Sequence, residues 1–265
     1  MSSAIFPVSI SRHQSLAWGN FSSYEFAAAD TVCPVVMAEM AKAACELPLA
    51  FIARDDGFMP VAVLGLTADK NAFVGANGLW EGSYVPAQYR GYPFLIARSA
   101  EGEQLFCVDE QSGLVGAQLD QAFFDQDNNL SPELQRIFDF WARLEADRIQ
   151  TLRLTAVLQQ YELIEPWEIT VENEEGGSYQ LTGLYRINET RLNELSDELF
   201  AQVRAQGALP MIYCQLFSMQ HLQSVARKAA QRLSEGESQV SLTDAKGELD
   251  LEFLNQDSTI NFGGL

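Results

Sequence analysis

No run of about 18 apolar residues, the length a membrane-crossing helix needs, occurs in this 265-residue chain. Basic residues are scarce: 17 Lys and Arg stand against 36 Asp and Glu, for a formal net charge of -19. Nucleic-acid affinity comes mostly from neutralising phosphates with Lys and Arg. DNA, RNA and anionic lipid surfaces are therefore not expected as partners. Histidine is nearly absent, with only His13 and His221, and neither HExxH nor HxD is present. Zinc and non-haem iron sites are normally built from histidines in compact motifs, so no metal is expected. The four cysteines, Cys33, Cys45, Cys107 and Cys214, are scattered and form no CxxC. That spacing fits reduced, buried thiols better than disulfides or a zinc knuckle. No GxGxxG, GxxxxGK[ST] or GxSxG occurs, which removes the dinucleotide, P-loop and nucleophile-elbow signatures, and no cofactor is expected. The opening "MSSAIFPVSISRHQS" lacks a basic segment followed by an apolar one, so the expected location is the cytoplasm.

What is present is enough for a sizeable core. Hydrophobic residues make up 47% of the chain, with a mean hydropathy of -0.07. The acid excess gives solubility and self-repulsion, or else suits a basic partner. "FPVSISRHQSLAW" reads as a short strand or extended arm. Val36, Met40, Ala43 and Leu47 share a face of a helix over about 35–47, with Glu39, Lys42 and Glu46 on the solvated side. "LAFIAR", "PVAVLGL", "NAFVG", "PFLIARS" and "EQLFCVD" read as short strands. No long helix separates them, which predicts mainly antiparallel pairing.

At Ser131 the character changes. Ser131 suits an N-cap, Pro132 the first helical position and Glu133 the positive end of a helix. The apolar spacing then predicts one long helix to about Tyr161, or two with a break near Asp147. "PWEITVENEEGGSYQLTGLYRIN" reads as a hairpin turning at Gly176–Gly177. One or two short helices should end at Gly207, followed by an apolar segment and an amphipathic helix. After about Ser234 the chain turns acidic, and "QVSLT" and "ELDLEFL" suit a weak hairpin or a loose tail. The fold class expected is α+β, with a mainly antiparallel sheet in the N-terminal half and helices with a second hairpin in the C-terminal half. The expected organisation is a domain over 1–233 and an acidic extension over 234–265.

The stretch "GLWEGSYVPAQYRGYPF", Gly78 to Phe94, sets Trp80, Tyr84, Tyr89 and Tyr92 around one cation, Arg90. Three readings compete. The rings fill core and Arg90 makes a structural pair. Or Arg90 holds a carboxylate or phosphate in a fork between apolar walls. Or the stretch is a protein interface, where Trp, Tyr and Arg are favoured. The candidate ligand-binding set is Trp80, Tyr84, Tyr89, Arg90 and Tyr92, with His13 and Glu39 as accessory residues. His13 is a surface or hydrogen-bonded group that titrates near neutrality if unperturbed. Glu39 joins the set if it points toward Arg90. No catalytic residue is assigned.

An ordered series of short motifs carries a resemblance. "PVS", His13, "YEFAA", "CPVVMAEM", "ELPLAF", "AVLGL", "NAFV", "GLW", "YVPAQYRGYPF" and "CVDE" are followed by "LSPEL", "LIEPW", "LTGLYRIN" and "LPMIYCQLFSM". This order, over about 6–227, resembles the SapC family. The resemblance implies a SapC-like, surface-layer (S-layer) associated protein. Some members are labelled peptide-transporter permeases, a label that does not fit a chain without membrane spans. Members are often encoded near flavin-dependent tryptophan-halogenase-like proteins, cupin-like proteins and TonB-dependent receptors, which makes a protein of a halogenase-like pathway a candidate partner. The family brings no established catalytic set. Two departures stand out. The family's C-terminal motif has a histidine near Gln215, where this chain reads "YCQL". Two basic residues often precede "YPF", where this chain has Arg90 and Gly91. The expected function is a non-enzymatic, cytoplasmic accessory or binding protein that recognises a peptide or an aromatic amino acid, with homo-oligomerisation open. The alternatives are an enzyme acting on an amino acid or peptide, and an S-layer assembly or export component.

Overall fold

The structure, a computed structural model, describes residues 5–99, 102–172 and 178–240. The chain begins with β1 (Ile5–Pro7), a single helical turn α1 (Ile10–His13) and β2 (Ala17–Trp18). Next come β3 (Val32–Pro34), α2 (Met37–Ala43), β4 (Leu49–Arg54) and β5 (Gly57–Val63). After a long irregular segment lie α3 (Ala87–Arg90), β6 (Phe94–Arg98), β7 (Gln104–Asp109), β8 (Val115–Gly116) and β9 (Gln121–Ala122). The C-terminal half holds α4 (Pro132–Gln160), β10 (Ile164–Pro166), β11 (Ile169–Glu172), β12 (Ser178–Leu181) and β13 (Leu184–Ile187). It closes with α5 (Glu189–Asn193), α6 (Asp197–Ala205), α7 (Leu209–Ser218) and α8 (Leu222–Val240). The fold is α+β, and every strand pairing described is antiparallel.

The main sheet has five strands in the order β10-β13-β4-β5-β3. It therefore draws two strands from the C-terminal half, rather than lying in the N-terminal half alone. The tight β4–β5 hairpin registers Leu49 with Ala62 and Arg54 with Gly57. Leu49, Ala50 and Phe51 are all buried in succession, which requires cover on both faces at that end of the strand. α4 packs on β5, and α7 packs on β4 and β13. A second sheet, β1-β7-β6, and a small third one, β8-β2-β9, belong to the other part of the molecule, while β11 and β12 pair alone.

Two hydrophobic cores result. The first surrounds the five-stranded sheet and contains Phe51, Leu64, Phe73, Leu158 and Met211. The second contains Trp18, Phe94, Phe123, Leu134 and Trp141. α4 serves both. Leu134, Trp141 and Leu144 of its first half enter the second core, and Leu154, Val157 and Leu158 of its second half enter the first. It is one unbroken helix of 29 residues with no break at Asp147, about 44 Å long at 1.5 Å per residue. Its start is the one the sequence announces. Ser131 Oγ accepts from the Leu134 amide, and Pro132 opens the first turn.

Several local expectations shift. The helix expected over 35–47 is shorter, Met37–Ala43, although Val36, Met40, Ala43 and Leu47 are all buried. "NAFVG" is not a strand. The buried Asn71 takes the Phe73 amide with Oδ1 and the Ala27 carbonyl with Nδ2, bending the chain into a turn. The N-terminal arm is β1 followed by a helical turn. Gln239 and Val240, which open the expected last hairpin, instead close α8. The rest of that hairpin, and the Gly176–Gly177 turn, lie outside the described residues.

Candidate functional site

Gly78 to Phe94 runs along the seam between the two cores. Tyr89 lies in the first core, with Trp80 and Tyr84 packed against it, whereas Ala87 and Phe94 lie in the second. Gly78 starts the run at φ 72°, a left-handed conformation that suits glycine. A Cβ there would also lie 2.3 Å from Ser23 Oγ. The Gly78 carbonyl accepts from the Tyr24 amide at 2.7 Å, tying the run to the segment before β3. Trp80 stacks on Phe73 with centroids 5.4 Å apart, and its indole Nε1 donates to the Tyr84 carbonyl at 2.9 Å. The indole thus buries its apolar body and satisfies its one donor within the same loop.

Glu39 is the main correction. It does not lie on a solvated helix face but is buried, 7% exposed. Its Oε2 accepts from the Tyr84 hydroxyl at 2.6 Å and from the Ala87 amide at 2.8 Å. Its Oε1 reaches back to the Val36 amide at 3.2 Å, closing the first turn of α2. Seven residues on, Glu46 accepts from the Ser83 amide, the Ser83 hydroxyl and the Tyr84 amide at 2.7–2.9 Å. Two carboxylates two helical turns apart therefore staple 83–87 to α2 and its exit. Glu39 meets Tyr84 rather than Arg90. Burial pushes the Tyr84 phenol up, and the Glu39 carboxylate adds to the shift.

The remaining rings divide by depth. Tyr89 is buried, and its hydroxyl donates to Asp30 Oδ2 at 2.9 Å. Burial drives its phenol far up, with Cys33 and Asp30 acting in the same sense. Tyr92 is half-buried and stacks face to face on Phe26, with centroids 3.8 Å apart and planes 9° from parallel. Phe21 and Tyr24 continue this aromatic lattice. Arg90 is exposed, and both its Nε and its Nη2 donate to the Val85 carbonyl, at 2.9 and 2.6 Å. Its guanidinium carbon also lies 5.0 Å from the centre of the Tyr84 ring, a cation–π contact.

His13 belongs elsewhere. It is fully buried, packed 4.8 Å from Phe123 of the second core. Its Nδ1 accepts from the Ser9 amide at 3.2 Å. Its Nε2 lies 3.2 Å from Glu110 Oε1 without hydrogen-bond geometry, and Glu110 itself is held by Arg12. Burial pushes the imidazole down from its ordinary range, against the opposing pull of Ser9 and Glu110. The structure thus gathers Trp80, Tyr84, Tyr89 and Glu39 into one bonded and packed unit, sets Arg90 and Tyr92 at its surface, and leaves His13 in the other core. Asp30, Glu46, Tyr24 and Phe26 were missed as partners. The only signals for them were the seven-residue spacing of Glu39 and Glu46 and the ring pair in "YEFAA". Among the described residues, no group of three His, Cys, Asp or Glu side chains could hold a metal ion.

Both departures from the family pattern have structural explanations. A Cβ on Gly91 would lie 2.2 Å from Trp141 Nε1 and 2.7 Å from Cε2. The indole of α4 occupies the space a side chain there would need. Gly91 sits at φ -97°, so the barrier to substitution is steric alone. Gly91→Ala is expected to cost about 2 kcal/mol by overpacking, read as a lower denaturation midpoint with Trp141→Phe giving partial relief. An unchanged midpoint would mean that the indole has room to move. Gln215 is fully buried, accepts from the Ile187 amide at 2.9 Å and donates to the Leu49 carbonyl at 3.0 Å. It bridges α7 to β13 and β4. A neutral imidazole also offers one donor and one acceptor, so the family histidine and this glutamine can make the same bridge.

No curated protein and no solved structure matches the chain. The family model for SapC matches residues 8–225, which spans both cores, the stapled aromatic run and the Gln215 bridge. The chain belongs to the SapC family.

Proposed function

We propose that this protein is a non-enzymatic, cytoplasmic accessory protein that recognises a peptide or an aromatic amino acid at the surface edge of the stapled run. The observation that carries this reading is the lattice of half-buried rings, Phe21, Tyr24, Phe26 and Tyr92, in a segment whose one cation, Arg90, is exposed and packs its guanidinium on the Tyr84 ring. Rings locked by their neighbours lose little entropy on binding, and amphipathic rings with an arginine suit aromatic and peptide ligands. The Val85 carbonyl fixes one edge of the Arg90 fork and so orients the cation.

The internal bonding supports binding over turnover. Glu39 is committed to three donors and Tyr89 to Asp30. His13 has no exposed surface from which to reach a substrate. An enzyme reading built on His13 as general base therefore ranks second. The acid excess of the whole chain favours ligands or partner proteins that carry basic groups beside their aromatic ones.

Arg90→Ala is the direct test. Titration with N-acetyl-tryptophan and with a tyrosine-rich peptide, followed by isothermal titration calorimetry, should show binding to the parent chain. The variant should bind at least about tenfold more weakly, a loss of about 1.4 kcal/mol. Its melting temperature should stay nearly unchanged, because the side chain is exposed. A large fall in melting temperature, or equal affinity, would overturn the assignment of Arg90 as an anchor.

A further inference from the structure

Between the turn at 67–72 and α8 lies a recess of about 220 Å³. Among the described residues, its lining carries two cations, Lys70 and Arg232, and no carboxylate. In a chain with 36 acids and 17 bases, that is a local inversion of charge. Ala28, Ala72 and Ala229 give it small apolar surfaces. Its wall is built firmly. Asn71 is buried and has both ends of its amide engaged, and the backbone amides of Asn71 and Ala72 donate to Ala28 and Leu64 at 2.8 Å. The turn also presses on the preceding chain, since a Cβ on Gly65 would lie 1.9 Å from the Lys70 carbonyl oxygen. On the helix side, Arg232 pairs with Glu81 Oε2 at 2.5 Å, and Lys228 donates to the Glu81 carbonyl at 2.8 Å. Glu81 is not in the lining. It orients the guanidinium from outside, and it shows that a carboxylate fits that group.

We propose that this recess binds a small organic carboxylate with a short aliphatic body. The carboxylate sits between the Lys70 ammonium and the Arg232 guanidinium, with Thr67 as a further donor, and the aliphatic part rests on the alanine methyls. Two charge-assisted contacts from opposite walls fix the anion. The volume is below the roughly 300–1,000 Å³ of pockets that take drug-sized ligands, which argues for a few carbon atoms rather than a nucleotide. The site stands apart from the aromatic reading, because Arg90 is not among its lining residues.

The test is a titration with butyrate, followed by the alanine methyl signals of ¹³C-methyl-labelled protein. Saturable shifts at Ala28, Ala72 and Ala229 are expected, with butylamine giving none and inorganic phosphate binding more weakly. Lys70→Ala and Arg232→Gln should each raise the butyrate Kd at least about tenfold, while Arg90→Ala leaves it unchanged. Lys70 is exposed, so its variant should melt with the parent. Absence of saturable shifts with butyrate would overturn the proposal, as would an unchanged Kd in Lys70→Ala. Tighter binding of phosphate than of butyrate would overturn the carboxylate assignment.

Discussion

Glu39→Ala is expected to lower the melting temperature by roughly 10 °C. The substitution removes the acceptor for three donors at once: the Val36 amide, the Ala87 amide and the Tyr84 hydroxyl. Leaving buried donors unmade costs about 1–3 kcal/mol each, so a total near 4 kcal/mol is reasonable for a half-relaxed site. Each kcal/mol shifts the midpoint by about 2–4 °C in chains of 150–250 residues. Glu39→Gln should recover only part of the loss, because its amide nitrogen must face a donor. Glu46→Ala is the matched control. It removes as many bonds, but to the exposed Ser83 and the half-buried Tyr84, where water can replace them. Its effect should be less than half as large. Calorimetry on the three variants decides the matter. A Glu39→Ala protein that melts within 2 °C of the parent, to take a threshold on the order of 1 kcal/mol, would show that the staple holds nothing.

Gln215→Ala should be nearly as severe, at about 3 kcal/mol, for a related reason. It orphans the Ile187 amide and the Leu49 carbonyl inside the first core and leaves a void where the side chain packed. Gln215→His should recover most of that loss, since the ring can supply one donor and one acceptor. Gln215→Glu should not, because a buried carboxylate cannot donate to Leu49 while ionised. Urea denaturation of the three variants gives the ranking. If histidine proves as damaging as alanine, the equivalence of the two residues at this position is wrong.

The contrast between these two positions shows where sequence stops being informative. "LAFIAR" is β4 residue for residue, and Ser131-Pro132 fixes the start of α4, because turn and cap chemistry act over three or four residues. The sites of the two acids could not be read the same way. Helical spacing puts Glu39 on the flank of the stripe made by Val36, Met40, Ala43 and Leu47, where it reads as solvated. It cannot show that a loop some 45 residues later will cover that flank. The strand pairing of β13 with β4 is hidden for the same reason, as hydrophobic alternation marks a strand but not its neighbour. "NAFVG" failed differently. Its apolar run suited a strand, but one asparagine side chain captured the backbone groups that a ladder would have used. The aromatic run was recognisable as unusual from composition alone. Its division into internal stitching (buried Tyr89 with half-buried Trp80 and Tyr84) and the separate stack of Tyr92 on Phe26 needed the three-dimensional arrangement.

The order of strands in the main sheet also sets a timetable for synthesis. The second core draws on residues up to about Leu144, so its parts leave the ribosome early and together. The β4–β5 hairpin emerges earlier still, but the partner for the other edge of β4 is Leu184–Tyr185, some 130 residues later. At about 5–20 residues per second, that edge waits on the order of ten seconds without its native neighbour. Leu49 to Phe51, which end fully enclosed, are during that interval an apolar strand with one open side. The nascent chain is then most vulnerable to association with its own copies. Slowing translation between β5 and β13 should lower the yield of folded protein more than slowing it after β13.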